Sequence, residues 1–243
     1  VVINPEFGTK FRSSVMFLSS LLAASKKVFL PLPGGCDLGD RPLDDILRVV
    51  EAFGGVVKEK GRGFAVYLPR LTNPHFLELP LGANNATAIA IILAAGVRGK
   101  VVLINSVFTP EVLDLCWLLE KADVRVEVDQ FRGRIVVEGL GMERLGKMRV
   151  EHRILSDRCE EAFWLCLALA TDSEIELEGV CVGSSGMLQP ILRQKFGGDI
   201  RVSGDRVEVR RSRMRPGNVI VNDDRIIGCD VGPVLMPLMV TIQ

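Results

Sequence analysis

Four apolar, helix-like runs recur along this chain at a nearly constant interval, which restricts the fold to a repeated unit. The runs follow Arg12 (13–25), Asn84 (85–95), Asp157 (158–170) and Asp230 (231–240), and those leading residues stand 72, 73 and 73 positions apart. In the three complete units a β-like run comes next, at 27–32, 100–104 and 174–177. A second helix follows a turn, at 42–53, 110–121 and 187–196. Two short alternating strands close each unit, as at 56–58 with 64–68 and at 201–202 with 206–209.

The two helices of a unit differ in kind. The second is amphipathic: Ile46, Val49, Val50 and Phe53 share one face, with Asp45, Arg48 and Glu51 opposite. Val112, Leu115, Cys116 and Leu119 repeat the stripe, and the same wheel turns Asp114 and Lys121 away from it. The first helix is apolar nearly all round, as from Ala86 to Ala95, so these helices are expected to be buried on every side with sheets around them. Each such run has only ten to thirteen residues, too few to span a bilayer.

The charge balance excludes other classes of partner. With 243 residues, zero formal net charge and 25% charged residues, no global field favours nucleic acid or a membrane surface. The run Arg210, Arg211, Arg213 and Arg215 has no interleaved aromatics and reads as a solvated turn. Cys116 and Cys166 fall inside apolar helical stretches, while Cys159, Cys181 and Cys229 are scattered without CxxC spacing. The only histidines, His75 and His152, flank no cysteine pair, so no metal site is expected. Reduced thiols in a cytosolic protein fit this usage. The chain opens Val-Val-Ile-Asn and stops within an apolar run at Gln243, as a fragment would.

The chemistry concentrates in residues 33–42, Pro-Gly-Gly-Cys-Asp-Leu-Gly-Asp-Arg-Pro. Gly34, Gly35 and Gly39 let a ligand approach the main chain. A helix starting at Pro42, with Arg41 just before it, makes an anion site whose field favours the thiolate of Cys36. A purely structural turn is the alternative reading of the same residues.

This stretch resembles the catalytic loop of the UDP-N-acetylglucosamine enolpyruvyl transferases, which carries a Pro-Gly-Gly-Cys...Gly...Arg-Pro pattern. The resemblance implies an α/β fold, the inside-out α/β barrel of EPSP synthase-like proteins, built from repeated βαβαββ units with buried apolar helices. It implies that residues 1–153 are the later part of a first domain, two repeat units with the loop 33–42. Residues 154–243 would begin a second domain, one unit plus the start of the next. The implied reaction moves the enolpyruvyl group of phosphoenolpyruvate to the 3-hydroxyl of UDP-N-acetylglucosamine and releases phosphate, with no cofactor. It is the first committed step of peptidoglycan precursor synthesis and the target of fosfomycin.

Carried over by position, Cys36 is the general acid, able to form an adduct with phosphoenolpyruvate, and Arg41 grips the phosphate. Arg12 aligns with a second arginine that contacts phosphoenolpyruvate. Pro42, Leu43, Asp44 and Asp45 stand where the family binds the nucleotide sugar, and Asp230 where an aspartate touches the sugar's 3-hydroxyl. Leu81 and Gly82 belong to a nucleotide-contact turn. Each has a bland alternative: a surface arginine, acids complementing a helix dipole, an N-cap at Asp230. The chain also departs from the pattern. Where the family has Lys-Val-Ser-Val-Gly-Ala-Thr it reads Glu78-Leu-Pro-Leu-Gly-Ala-Asn84, so Glu78 and Pro80 replace a lysine and a serine that help hold the nucleotide. Two rivals therefore stay open: an enolpyruvyl transferase with another acceptor, such as shikimate 3-phosphate, and a non-catalytic paralogue.

Overall fold

The computed structural model of the chain describes residues 1–35, 43–181, 188–218 and 231–242. It divides into two compact units, Val1–His152 and Arg153–Gln243.

The first unit begins with α1 (Pro5–Gly8), a 3-10 turn (Arg12–Met16), α2 (Phe17–Ser25), β1 (Lys27–Pro31), α3 (Asp44–Ala52), β2 (Val56–Glu59) and β3 (Gly63–Tyr67). β3 lies between β1 and β2, antiparallel to both, and Val2 makes a parallel bridge to Phe29 of β1. The unit continues with β4 (Phe76–Glu78), α4 (Asn84–Gly96), β5 (Arg98–Ile104), α5 (Pro110–Lys121), β6 (Arg125–Asp129), β7 (Arg134–Leu140) and α6 (Met142–Leu145). Their sheet has the order β4-β5-β7-β6, parallel only between β4 and β5. Both halves are thus the same βαβαββ motif, with the last strand inserted between the second and third. In the second unit come α7 (Arg158–Ala170), β8 (Ile175–Glu178), α8 (Leu188–Gln194), β9 (Asp199–Ser203), β10 (Arg206–Arg210) and α9 (Gly232–Thr241). The order β8-β10-β9 repeats the motif again, and α9 stands where a further one would start.

Helix α4 is the centre of the first unit. Alanine supplies helix propensity along it and Gly96 closes it, where a side chain would run into the sulfur of Met142. Ile89, Ile91 and Leu93 are wholly buried, each contributing about 1.5–3 kcal/mol from apolar burial. Strand β7 reaches the end of α4 because it carries Gly139; any side chain there would collide with the carbonyl oxygens of Ala94 and Val97.

Some expectations need correction. The apolar run of α7 is not buried on every side: Phe163, Trp164 and Leu167 are exposed. Helix α4 is enclosed by α2, α3, α5, α6, β5 and β7, whereas α7 packs chiefly against α9 and β10. Asp114 does not face solvent either. It is buried, with its Oδ1 2.8 Å from Nε2 of His152, a partner 38 residues away that a helical wheel cannot show. The run 13–25 also enters its α-helix late, through the 3-10 turn.

Candidate active site

Cys36, Arg41, Pro42 and Asp230 lie outside the described residues. The frame that presents the loop is described. The chain leaves β1 at Pro31 and passes through Gly34 and Gly35, and the described chain resumes at Leu43, the N-cap of α3. A side chain on Gly34 would collide with the carbonyl oxygen of Thr9, so only glycine permits this approach. Gly35 has φ +124°, and a methyl group there would sit 3.6 Å from Cβ and 3.7 Å from the backbone nitrogen of Arg12. The two glycines thus lie against the backbone of Thr9 and Arg12.

The segment that meets the loop is itself tied down. Asn4 caps α1 by accepting from the amide of Glu6. The hydroxyl of Thr9 donates to the carbonyl of Pro5 at 2.6 Å, and buried Ser14 Oγ donates to the carbonyl of Gly8 at 3.0 Å. On the far side of the loop, Leu43 is buried in the core, which leaves only its backbone to a ligand. Asp44 is exposed and Asp45 half-buried in the first turn of α3, where acidic groups meet the positive end of the helix dipole.

In the second motif Leu81 and Gly82 follow β4, the counterpart of the Val2 bridge, whereas the counterpart of the segment after β1 starts at Asn105, after β5. Gly82 takes φ +74° and Leu81 is 84% exposed. Glu78 is not a bare carboxylate: Asn105 Nδ2 donates to its Oε1 at 3.3 Å and to the carbonyl of Leu79 at 3.2 Å. Asn105 itself adopts φ +59°, a conformation asparagine tolerates better than most residues. Thr109 Oγ1 donates to Asn84 Oδ1 at 3.1 Å, joining the starts of α5 and α4. Sequence reasoning missed Asn105; its position directly after a β-like run was the available signal.

In the second unit Asp157 caps α7 by accepting from the amides of Cys159 and Glu160. Its counterpart one repeat later is Asp230. Buried Gln189 donates to Glu161 at 2.5 Å, linking α8 to α7. Burial pushes the thiols of Cys116 and Cys166 up to about 12, which rules them out as nucleophiles at neutral pH. Among the described residues no three His, Cys, Asp or Glu side chains converge as metal ligands.

A repeated βαβαββ motif around internal apolar helices is the architecture of enolpyruvyl transferases. The structure superposes on the enolpyruvyl transferase NikO from Streptomyces tendae with a TM-score of 0.80 at 19% identity, covering 100% of this chain and 57% of that one. An EPSP synthase from Acinetobacter baumannii gives a TM-score of 0.62 at 17% identity, over 93% of this chain and 50% of that one. The family described as EPSP synthase (3-phosphoshikimate 1-carboxyvinyltransferase) matches residues 4–241, and the chain belongs to it. Among named relatives, UDP-N-acetylglucosamine 1-carboxyvinyltransferase 1 of Symbiobacterium thermophilum is 30% identical over 240 residues, 98% of this chain and 53% of the relative. The protein of that name in Carboxydothermus hydrogenoformans is 28% identical over 244 residues, 100% of this chain and 56% of the relative. The chain thus spans about half the length of these relatives.

Proposed function

We propose that this chain forms part of an enolpyruvyl transferase that joins phosphoenolpyruvate to the 3-hydroxyl of UDP-N-acetylglucosamine, in the cytoplasm and without a cofactor. The observation that supports the reading is the close packing of Gly34 and Gly35 against the backbone of Thr9 and Arg12, at the start of the glycine-rich segment that carries the family's cysteine pattern. On this reading residues 1–153 complete a first domain and residues 154–243 open a second.

The reaction needs cations for phosphate and carboxylate, a proton donor for the methylene carbon and a base at the attacking hydroxyl. Cys36 supplies the proton to the methylene as the sugar oxygen bonds to the adjacent carbon. Asp230 accepts the hydroxyl proton. Arg41 and Arg12 hold the phosphate, which leaves with its bridging oxygen as the methyl group so formed gives a proton back. Pro42, Leu43, Asp44, Asp45, Leu81 and Gly82 contact the nucleotide sugar; through Leu43 the contact is with backbone alone.

Intact mass after incubation with fosfomycin tests the thiol, and phosphate release tests the transfer. The reading expects a single adduct at Cys36, lost in Cys36→Ser. In the natural full-length protein it expects phosphate release with UDP-N-acetylglucosamine. Release with shikimate 3-phosphate instead would reassign the acceptor, and neither adduct nor release would leave the non-catalytic paralogue.

A further inference from the structure

The sheet of the first motif turns two different faces to its surroundings. Strand alternation puts Val28, Leu30, Val57, Phe64 and Val66 against the core of the first unit. Lys27, Phe29, Val56, Lys58, Ala65 and Tyr67 therefore lie on the outer face. Register sets them in two rows, Lys27 beside Tyr67 and Val56, and Phe29 beside Ala65 and Lys58. Phe29 and Tyr67 are half-buried, while Val56 and both lysines are exposed. The hairpin between β2 and β3 adds exposed Lys60 and Arg62 at the edge.

No carboxylate stands in either row. Glu59, the acid of β2, alternates to the other face, opposite Phe64. Among the described residues Lys27, Lys58, Lys60 and Arg62 make no ion pair. The third sheet is built on the same motif and cancels its outward charges instead. Arg206 meets Glu176 at 2.9 Å and Glu178 at 2.8 Å, and Arg210 meets Glu208 at 3.1 Å. The zero net charge of the chain thus conceals one face of a single sign.

The make-up of the face decides what kind of anion it suits. Three of its four cations are lysines, hydrated point charges rather than the planar fork that pairs with particular carboxylates. Lysine is also depleted where proteins bind one another. Nucleobases need an open ring to stack on, whereas the ammonium of Lys27 already lies 5.1 Å from the centre of the Tyr67 ring. A flat face with lysines around tyrosine and valine suits diffuse negative charge above an apolar layer.

We propose that the outer face of this sheet docks on an anionic phospholipid surface, with Lys27, Lys58, Lys60 and Arg62 among the headgroups and Tyr67 and Val56 at the interface beneath them. The docking is reversible and electrostatic, and it does not depend on the transferase reading.

Co-sedimentation of the full-length protein with vesicles tests this. One set is phosphatidylcholine alone, the other an equal mixture with phosphatidylglycerol. Binding is expected to the mixed vesicles only, and to fall as salt is raised. Lys27→Gln and Lys58→Gln should each weaken it about fivefold, the scale of one lysine at an anionic surface. Lys100→Gln, which removes a lysine standing opposite Glu138 in the other sheet of the unit, should leave it unchanged. All three side chains are exposed, and unchanged thermal unfolding of the variants shows that the fold is kept. Equal binding to the neutral vesicles, no binding to either, or unchanged affinity in both Lys27→Gln and Lys58→Gln would overturn the proposal. Binding of a single-stranded oligonucleotide instead of the mixed vesicles would overturn it too, and make the face a nucleic-acid site.

Discussion

Nε2 of His152 lies 2.8 Å from Oδ1 of Asp114, and this partly buried contact ties the last residue of the first unit to the middle of α5. Lys121 adds a weaker tie, from its ammonium to the carbonyl of Glu151 at 3.5 Å. Removing either member of the pair leaves the other a buried polar group without this partner. Asp114→Ala and His152→Ala should each lower stability by about 1–3 kcal/mol. The double variant should lose clearly less than the sum of the two. Denaturant titrations of the four proteins measure this, and simple additivity would show that the contact carries no energy.

The approach of Gly34 to Thr9 makes a sharper prediction. Gly34→Ala must push residues 8–12 away from the loop, since the new methyl group would overlap a carbonyl oxygen. The expected result is a loss of about 1–3 kcal/mol, as for other overpacked sites, together with slower fosfomycin labelling of Cys36. Gly61→Ala, where a methyl group meets nothing and only the φ of +57° is strained, is the control and should leave labelling unchanged. Equal labelling rates in the two variants would contradict the coupling.

Buried thiols give the molecule an alkaline limit. Burial, helped by the Glu120 carboxylate in one case, raises Cys116 and Cys166 from 9.0 to about 12. Between those values the unfolded chain releases thiol protons that the folded chain keeps. Stability is therefore full below pH 9 and falls as pH rises towards 12, by about 1.4 kcal/mol per pH unit for each thiol. Cys116→Ala should flatten that decline for the first unit and Cys166→Ala for the second. Urea midpoints between pH 8 and 10.5 provide the check, and slopes unchanged by either substitution would refute the assignment.

Arg215 closes the end of α8. Its Nε donates to the carbonyl of Lys195 at 3.0 Å, and its guanidinium also reaches the carbonyl of Gln194. Arg215→Ala should cost the second unit about 1 kcal/mol, and Arg215→Lys should recover only part, because a lysine cannot offer the same planar fork. Thermal unfolding of the two variants side by side decides whether the fork matters.

The motif is legible in the sequence because helices apolar all round, recurring every 72 or 73 residues, fit few folds besides a repeated unit. Strand β4 is not, since Phe76–Glu78 is too short to show alternation and forms by pairing with β5. A helical wheel misplaces Asp114 because it sorts polar from apolar without knowing that His152 arrives from outside the helix. It misplaces Phe163 and Trp164 for the opposite reason: the pattern of α7 matches that of α4, and only the elements packed around each helix separate them. At the candidate site, glycine-rich sequence signals a close backbone approach, but Thr9 as the group approached, and Asn105 as the holder of Glu78, depend on tertiary geometry.

The repeated motif also bears on how the chain is made. Among the described residues every strand pairs within its own motif, and the widest pairing, Arg98 with Leu140, spans only 42 positions. Each sheet can therefore close soon after its own segment leaves the ribosome, without waiting for distant sequence. Nascent chains stalled once residue 72 has emerged should already protect the amides of β1 and β3, before the second motif is available to pack against them.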